Sequence, residues 1–389
     1  MSAPSPRRLL MIEQGGRGGV ADYTAALVTA LAAQGWEVTL ATADDHRFGS
    51  IPGVSIERVF HYTRGDSRLA RALRERGLGR AANGLRFLAA LPRLMRLAWR
   101  ADVVHSQGWE APQLGLLALI AMRLERRPIV QTAHGMFDRS TTARGGRRLS
   151  RELAARLCAR TIVHTQADLD GAPAWFVRRA VVIPHGEYAG LAGSGHSAGR
   201  EAARAALGLP PEVPVTLMFG QLRPDKGLDD LLAALARLPA VHLLVGGQDQ
   251  GGLSPVKDAL EQMGDRAVVR EGFLDMDQVA DLFAASDTVA LPYREASQSG
   301  VLLLAYGFSR PVVVYPSGGM LEAVVDGETG WVCAAPTVAA LAEALSAAAA
   351  AGPAVARRRG ERGRALSDER YAWPAIARAT GELYEQVLQ

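Results

Sequence analysis

The chain has 389 residues, of which 48% are apolar and 22% charged, and a formal net charge of +4. This composition excludes an intrinsically disordered protein, and the length exceeds what one ordinary hydrophobic core fills, so two domains are expected. Two distant cysteines, Cys158 and Cys333, have no metal-binding or redox spacing, which favours a reducing cytosol over a disulfide framework. Residues 1–8 lack the apolar core of a signal peptide, and we expect no membrane-spanning helix.

In the first half of the chain, short apolar runs alternate with helical patterns. A helix is predicted over 20–33. The predicted strands cover 8–13, 36–42, 54–60, 102–105, 129–132, 161–164 and 181–184. Their continuous apolarity and β-branched residues are typical of buried parallel strands, and the intervening segments are long enough to form crossover helices.

A stretch rich in Gly, Ala and Ser over 187–199 interrupts this alternation and predicts a linker. The alternation then restarts, with strands predicted over 215–220, 241–245, 267–270, 288–291 and 311–315. We therefore predict an α/β fold of two doubly wound parallel-sheet units, 1–186 and 200–372. Ligands are expected in the cleft where the carboxyl ends of the strands meet.

Glycines separate the first strand from the first helix, in the run Gly15-Gly16-Arg17-Gly18-Gly19. Glycines at such a place let the backbone approach a ligand and present amides at the helix start. The spacing gives little support to dinucleotide binding, because Ala21 stands where the third glycine of that motif would be. A tight strand-to-helix turn without a ligand is the alternative.

Two histidines precede glycines at the ends of predicted strands. His134 follows the strand at 129–132, and His185 follows the strand at 181–184. A histidine at the carboxyl end of a strand can hydrogen-bond to a ligand or transfer a proton near neutral pH. A simple turn is the alternative, and we expect the functional role for His134 and the turn for His185.

Lysine is rare in this chain, since only Lys226 and Lys257 stand among 44 basic residues. Lys226 and Arg223 lie in a glycine-bearing loop between an apolar strand and a leucine-rich helix, which is a suitable place to hold a diphosphate. Arg223 offers a planar fork to phosphate oxygens, and Lys226 offers a point charge for a leaving group. Lys257 has no such context and is expected to have no role.

A second anion site is predicted after the strand at 288–291. Ser299 and Gly300 place a hydroxyl and free amides at the N-terminus of an apolar helix. Glu295 comes just before them and is suited to binding sugar hydroxyls. Its alternative is a solvated loop residue.

The segment from Arg64 to Arg100 is strongly basic, with ten arginines and two acidic residues. One interpretation is an interfacial helix over 84–100 that docks on an anionic membrane, at the inner membrane face, and brings the cleft to a lipid-linked acceptor. The other is an ordinary crossover helix with outward arginines, which we favour because Pro92 disfavours a straight interfacial helix. Nucleic acid is not expected as a partner, because aromatic residues do not alternate with the arginines.

Several short segments, in this order, resemble family-4 glycosyltransferases of the GT-B fold. The matching segments are 15–23, 132–135, 183–186, 219–227, 271–273, 286–287 and 326–330. The resemblance implies two Rossmann-like domains facing across a cleft, with an acceptor domain over 1–186 and a nucleotide-sugar donor domain over 200–372. It also implies that a final helix over 373–389 returns to the N-terminal domain.

The resemblance further implies transfer of a hexose-type sugar from a nucleoside diphosphate to a hydroxyl acceptor, with retention of configuration and no obligatory metal or cofactor. The catalytic residues would be His134, Arg223, Lys226 and Glu295, with Arg223 and Lys226 stabilising the departing diphosphate. The residues expected to bind the donor are Gly16, Gly18, Gly19, Gly220, Glu271, Phe273, Ser297, Gln298, Ser299, Gly300 and Val301. The high Ala, Arg and Gly content indicates a GC-rich bacterial genome, compatible with a polysaccharide, glycolipid or natural-product acceptor.

One position departs from the family pattern, which has two glutamates eight positions apart in this region. Glu295, or Ala296 without a gap, meets the first position, and the second falls on Leu303 or Leu304. The carboxylate that contacts the nucleotide ribose is thereby lost, in a Ser-Gln-Ser-Gly variant of the pattern. Two alternatives stay open: a catalytically inactive nucleotide-sugar-binding partner protein, and a sugar-nucleotide epimerase, which would need carboxylates besides Glu295.

Overall fold

The computed structural model describes residues 6–62, 78–109, 111–134, 146–187, 190, 197, 199–296 and 298–389, without the side chains of 146–148. The chain divides into two compact units. Residues 1–186 and 373–389 form the N-terminal unit, and residues 187–372 form the C-terminal unit. Much of the predicted linker over 187–199 lies outside the described residues.

The N-terminal unit is built on a parallel sheet of order β3-β2-β1-β4-β5-β6-β7. Its strands are β1 (Arg8–Ile12), β2 (Glu37–Ala43), β3 (Val54–Phe60), β4 (Val103–Ser106), β5 (Ile129–Thr132), β6 (Arg160–Val163) and β7 (Ala180–Val182). Its helices are α1 (Gly19–Ala33), α2 (Gly79–Arg100), α3 (Pro112–Leu124), α4 (Gly146–Leu157) and α5 (Ala174–Val177). The seven strands predicted from the sequence are confirmed to within two residues at each end.

Side chains of β1 alternate between the two faces of this sheet. Leu9 and Met11 lie in a core formed with α1 and the final helix of the chain. Leu10 and Ile12 lie in a second core formed with α2, α3 and α4. Helices α2, α3 and α4 therefore form one layer, on the face of the sheet opposite to α1.

The C-terminal unit has a second parallel sheet, of order β10-β9-β8-β11-β12-β13. Its strands are β8 (Val215–Phe219), β9 (His242–Gly247), β10 (Ala267–Glu271), β11 (Thr288–Leu291), β12 (Val312–Val314) and β13 (Gly330–Val332). Its helices are α6 (Arg200–Leu207), α7 (Leu228–Leu235), α8 (Lys257–Met263), α9 (Met276–Ala285), α10 (Gly300–Gly307), α11 (Met320–Ala323) and α12 (Val338–Arg370). The sequence analysis missed β13, which begins at a glycine and has only two apolar side chains, those of Trp331 and Val332. The predicted doubly wound α/β class is confirmed.

The final helix, α13 (Trp373–Leu388), belongs to the N-terminal unit and packs on α1. The rings of Trp36 and Tyr384 meet edge to face, with centroids 5.0 Å apart. The hydroxyl of Tyr384 hydrogen-bonds with Nδ1 of His105 on β4. The end of the chain is therefore fixed to the core of the unit in which the chain begins.

Helix α12 is broken at Gly352, where φ is 75°. With α13 it forms the stretch Val338–Leu388, the one part of the described chain that is long and apolar enough to cross a membrane by length and composition. Leu341 and Leu345 of this stretch are buried in the core of the C-terminal unit. Of the apolar window of this stretch, 22% is buried.

Candidate functional site

The loop between β1 and α1 is held by the buried carboxylate of Glu13. This carboxylate accepts hydrogen bonds from the amides of Gly15 and Gly16 at 2.9 and 2.6 Å and from the hydroxyl of Thr42 at 3.2 Å. Gly16 has a φ of 66°, and a Cβ there would lie 2.7 Å from Cβ of His46, so local packing demands glycine. The amide of Gly16 is bonded to Glu13, which corrects the expectation that it is presented to a ligand.

Gly18 and Gly19 lie at the start of α1. Gly18 is the N-cap with a φ of 77°, and no side chain caps the helix. Among the described residues, nothing beyond the chain neighbours lies within 4 Å of the place that a Cβ would take at either glycine. The first-turn amides of this 15-residue helix carry partial positive charge. These two positions leave space for the close approach that the glycine run predicts.

Four histidines group at the carboxyl edge of the N-terminal sheet. His105 lies on β4, and His134, His164 and His185 follow β5, β6 and β7. The ring of Tyr23 packs among the last three, with centroid distances of 5.1, 5.3 and 4.8 Å. The sequence analysis singled out His134, gave His185 the turn interpretation and missed His105 and His164. All four histidines lie at the carboxyl ends of predicted strands, and this shared position could have singled out His105 and His164 from the sequence as well.

Burial keeps these four imidazoles uncharged at neutral pH. It lowers the pKa of His105 and His185 to about 3 and that of His164 to about 4, and it lowers the pKa of His134 well below its ordinary value. Proton transfer by His134 near neutral pH, one of its two predicted roles, is therefore disfavoured.

The hydrogen bond of His134 fixes its tautomer. Its Nε2 lies 2.9 Å from Oε1 of Gln107. Because a neutral ring must donate to an amide oxygen, Nε2 carries the hydrogen and Nδ1 is an acceptor. His134 is suited to hydrogen bonding, with Gln107 as a partner that the sequence analysis missed.

A cavity of about 340 Å³ lies at this edge of the N-terminal unit. The polar side chains that line it include Glu13, Gln14, Gln107, Gln131, His134 and Arg151, and Trp109 adds an aromatic wall. Arg151 forms no ion pair within the described part of the chain. Such a lining can hydrogen-bond to several hydroxyl groups and to one anionic group of a ligand.

In the C-terminal unit, Lys226 lies over the ring of Tyr293. Its Nζ is 3.9 Å from the ring centroid, close enough for a cation–π interaction. Burial raises the pKa of the Tyr293 hydroxyl, and the side chain of Ser299 acts in the opposite direction. Gly227 has a φ of 74°, and a Cβ there would lie 2.3 Å from the carbonyl oxygen of Pro292, so the Lys226 loop packs closely on the segment after β11. The structure therefore brings the two predicted anion-binding loops together.

Arg223 is paired with a residue of its own loop. Its Nε and Nη2 donate to the two carboxylate oxygens of Asp225 at 2.8 and 2.6 Å. The hydrogen bond from Arg223 lowers the pKa of Asp225, which is ionised at neutral pH. Phosphate oxygens accept from a guanidinium fork in the same bidentate way. The sequence analysis identified Arg223 but not this carboxylate.

The N-terminus of α10 holds the remaining residues predicted in this region. The Ser299 hydroxyl accepts from the amide of Leu302 at 3.2 Å, and Gly300 is the first helical residue. A Cβ at Gly220 would lie 3.1 Å from Cγ2 of Val301, so this helix end contacts the loop after β8. The Oε1 atom of Gln298 is buried without a hydrogen-bond partner in the described part of the chain. Ser297 lies outside the described residues.

The other predicted residues are exposed. Glu295 follows β11, and no hydrogen bond or ion pair holds it within the described part of the chain. Glu271 ends β10, and Phe273 is 83% exposed two residues later. The amide of Gly272 between them donates to the carbonyl of Gly247 at 3.0 Å, so the loops after β9 and β10 are in contact. Solvent exposure leaves all three predicted side chains accessible to a ligand.

Comparison with known proteins agrees with this architecture. The family model described as "Glycosyl transferase 4-like domain" matches residues 18–186, and that described as "Glycosyl transferases group 1" matches residues 213–351. Among solved structures, HepE from Anabaena in complex with UDP and glucose has a TM-score of 0.73 at 19% identity, covering 98% of this chain and 100% of that one. Sucrose-phosphate synthase from Thermosynechococcus elongatus has a TM-score of 0.74 at 22% identity, covering 98% and 99%.

The alignments with curated relatives cover less of the chain than the structural matches do. The D-inositol 3-phosphate glycosyltransferase of Segniliparus rotundus is 32% identical over 256 residues, 60% of this chain and 55% of that protein. Its counterpart from Mycobacterium sp. (strain KMS) is 31% identical over 273 residues, 66% of this chain and 61% of that protein. The alignments thus span less than two thirds of these relatives. The two family models together match well over half of the chain, which therefore belongs to the glycosyltransferases with a 4-like and a group 1 domain, folded as the GT-B type.

Proposed function

We propose that this protein is a retaining glycosyltransferase that transfers a hexose-type sugar from a nucleoside-diphosphate donor to a hydroxyl acceptor in the bacterial cytoplasm. The observation that carries the proposal is the close packing of the Lys226 loop on the segment after β11, where Nζ of Lys226 lies 3.9 Å from the ring centroid of Tyr293. Membership in the glycosyltransferases supports the reaction class. A solved structure of similar fold that contains UDP-glucose supports a nucleotide-sugar donor.

The departing diphosphate is the group that most needs stabilisation in this reaction. Lys226, Arg223 and the N-terminal amides of α10 supply positive charge that is in place before the bond to the sugar breaks. These two cations would do the work that a metal ion does in other transferases, so we expect no metal requirement. His134 would position the donor sugar by hydrogen bonding, with its neutral ring accepting at Nδ1.

The cavity of the N-terminal unit is the proposed acceptor site. Gln14, Gln107 and Gln131 can bind hydroxyl groups, and Arg151 can bind an acidic group of the acceptor. The relatives named D-inositol 3-phosphate glycosyltransferases make a phosphorylated polyol the first acceptor to test. We propose a hydroxylated acceptor there.

The two lysines of the chain offer a matched test. Lys257 is exposed and pairs with Glu261 at 3.7 Å, on α8. We expect Lys226→Met to lower turnover by roughly a hundredfold or more, as for loss of one transition-state charge, while Lys257→Met keeps it. The measurement is release of nucleoside diphosphate from UDP-, GDP-, dTDP- and ADP-sugars. A folded Lys226→Met protein with wild-type turnover would refute the proposal.

One observation favours the inactive nucleotide-sugar binder as the second candidate. Leu303 is buried in the core of the C-terminal unit and Leu304 packs against that core, so the position of the family's second glutamate is apolar. Such a binder would be stabilised by a nucleotide sugar, by about 2.7 kcal/mol at a hundred times its dissociation constant. It would nevertheless release no diphosphate with any acceptor. Stabilisation with turnover excludes this candidate.

A further inference from the structure

The layer formed by α2, α3 and α4 has an unusually apolar outer side. Each helix buries one side against the sheet, as Leu94, Leu119 and Ala154 show. The large apolar residues that these helices expose are Leu85, Leu88, Trp99, Leu117, Ile120, Leu124, Leu149 and Leu153. In the described part of the chain, α1 and α13 on the opposite face expose none. We call this surface the α2–α4 surface.

The α2–α4 surface is also strongly basic. The described side chains of its helices include eight arginines and one acidic residue, Glu152. The opposite face, α1 and α13, has one arginine and three carboxylates. Positive charge is therefore concentrated on one side of this unit.

Few of these arginines are neutralised by the protein. Arg93 pairs with Glu57 at 2.6 Å, and Arg156 pairs with Glu152 at 3.9 Å. The arginines of the layer without an ion pair among the described residues are Arg80, Arg86, Arg96, Arg100, Arg123 and Arg151. Arg151 lines the N-terminal cavity, and the charges of the other five remain available to an external anion.

We propose that the α2–α4 surface docks on an anionic lipid bilayer. Exposed leucines and Trp99 would enter the region of the lipid headgroups, and the unpaired arginines would bind lipid phosphates. An anionic bilayer accounts for both the exposed apolar residues and the arginines of this surface. A nucleic acid would bind the arginines but would not account for the exposed leucines.

The structure also changes the interpretation of α2 itself. The helix continues through Pro92, and its Phe87, Ala90 and Leu94 are buried against the sheet. It is therefore a crossover helix, as the sequence analysis favoured, and it does not insert by its main apolar side. Docking uses the outer side of three packed helices.

Docking would also affect which acceptor reaches the N-terminal cavity, and this consequence rests on the proposed function. Pro112 of α3 and Arg151 and Ala154 of α4 line the N-terminal cavity. The same layer would therefore hold that cavity near the bilayer, where a lipid-linked hydroxyl acceptor is available. The docking itself does not depend on catalysis.

The test is sedimentation of the full chain with sucrose-loaded vesicles, either pure phosphatidylcholine or phosphatidylcholine with phosphatidylglycerol. We expect binding to the anionic vesicles alone, weakening as salt rises. The double variants Arg96→Glu with Arg100→Glu, and Trp99→Ser with Leu124→Ser, alter exposed side chains, and each should weaken binding roughly tenfold or more.

The control carries the same change of charge on the other unit. Arg357→Glu with Arg358→Glu alters two exposed residues of α12 and should bind vesicles as the wild type does. Absence of wild-type binding to anionic vesicles would overturn the proposal, as would an equal loss in the control. Full binding by the Trp99/Leu124 variant would also overturn it, and would identify a purely electrostatic site for polyanions. No nucleotide is needed, so an inactive transferase would leave the result unaffected.

Discussion

Arg223 and Asp225 form an ion pair within the loop that is proposed to bind the diphosphate. The carboxylate of Asp225 occupies two donors of the guanidinium, while Lys226 next to it is held by the ring of Tyr293. A diphosphate that binds the Nε–Nη2 side of Arg223 displaces Asp225, whereas Nη1 and the second N–H of Nη2 are not used by this carboxylate. The carboxylate is thus an internal competitor in the proposed donor site.

Removing this competitor should tighten nucleotide binding. A partly exposed ion pair contributes about 0.2–1 kcal/mol, so Asp225→Asn should lower the dissociation constant of a nucleoside diphosphate by up to roughly fivefold. Isothermal titration calorimetry measures this, with Asp258→Asn on the exposed side of α8 as the control for lost charge. Weaker binding by Asp225→Asn would show instead that the carboxylate orients Arg223.

Single residues show where sequence reasoning is reliable. Lys226 was identifiable because lysine is rare and its loop lies between a strand and a helix. Asp225 was not, because a carboxylate two residues from an arginine can point anywhere in a loop. Gly16 was singled out for the approach of a ligand, and the structure adds a local reason for glycine there, the contact with His46.

At the scale of elements, one buried arginine joins α6 to two strands. Arg204 is 1% exposed, and it donates to the carbonyls of Ala285, Pro211 and Val213 at 2.7 to 2.9 Å. It also donates to Asp287 at 2.8 Å, which accepts from the amide of Val215 at the start of β8. This network fixes the beginnings of β8 and β11 and hence the direction of the loops that follow them.

Arg204→Met should destabilise the C-terminal unit by about 3–5 kcal/mol, because it leaves three backbone carbonyls without their donor and the half-buried carboxylate of Asp287 without its buried partner. Arg200 also pairs with Asp287, at 2.9 Å, but is one third exposed, so Arg200→Met should cost about 1 kcal/mol or less. Urea unfolding compares the two variants with the wild type. If both variants lost the same small free energy of unfolding, the central role given to Arg204 would be contradicted.

At the scale of the whole molecule, the division into two parallel-sheet units was predictable because the alternation of strands and helices stops and restarts. Apolar patterns identify an element's buried side but not what lies against it, so the packing of α13 on α1 came from the family resemblance. The grouping of the four histidines could not be predicted either, because it also depends on how the elements pack. The four histidines meet because their strands, β4 to β7, are adjacent in the sheet. The periodicity of the sequence predicts strands but not the order in which they pair.

This histidine group should make the stability of the N-terminal unit depend on pH. Burial holds the folded pKa values at about 3 for His105 and His185 and about 4 for His164, with His134 also lowered, whereas an unfolded histidine titrates near 6.5. Below pH 6.5 the unfolded chain binds protons that the folded unit does not, so stability falls with pH until the folded pKa values are reached. Each histidine costs about 1.4 kcal/mol per pH unit, or roughly 5 kcal/mol per unit for the four.

Fluorescence can follow this loss in one unit, because Trp331 is the only one of the six tryptophans outside the N-terminal unit. We expect urea unfolding by tryptophan fluorescence to show constant stability above pH 7 and a steep decrease between pH 6.5 and 5. In His164→Leu, the unfolded chain should take up one proton fewer between pH 6.5 and 5, so the slope of stability against pH should fall by about 1.4 kcal/mol per pH unit. A flat profile from pH 7.5 to 5 would mean that the rings bind protons in the folded protein as readily as in the unfolded chain, and the lowering of their pKa values by burial would have to be abandoned.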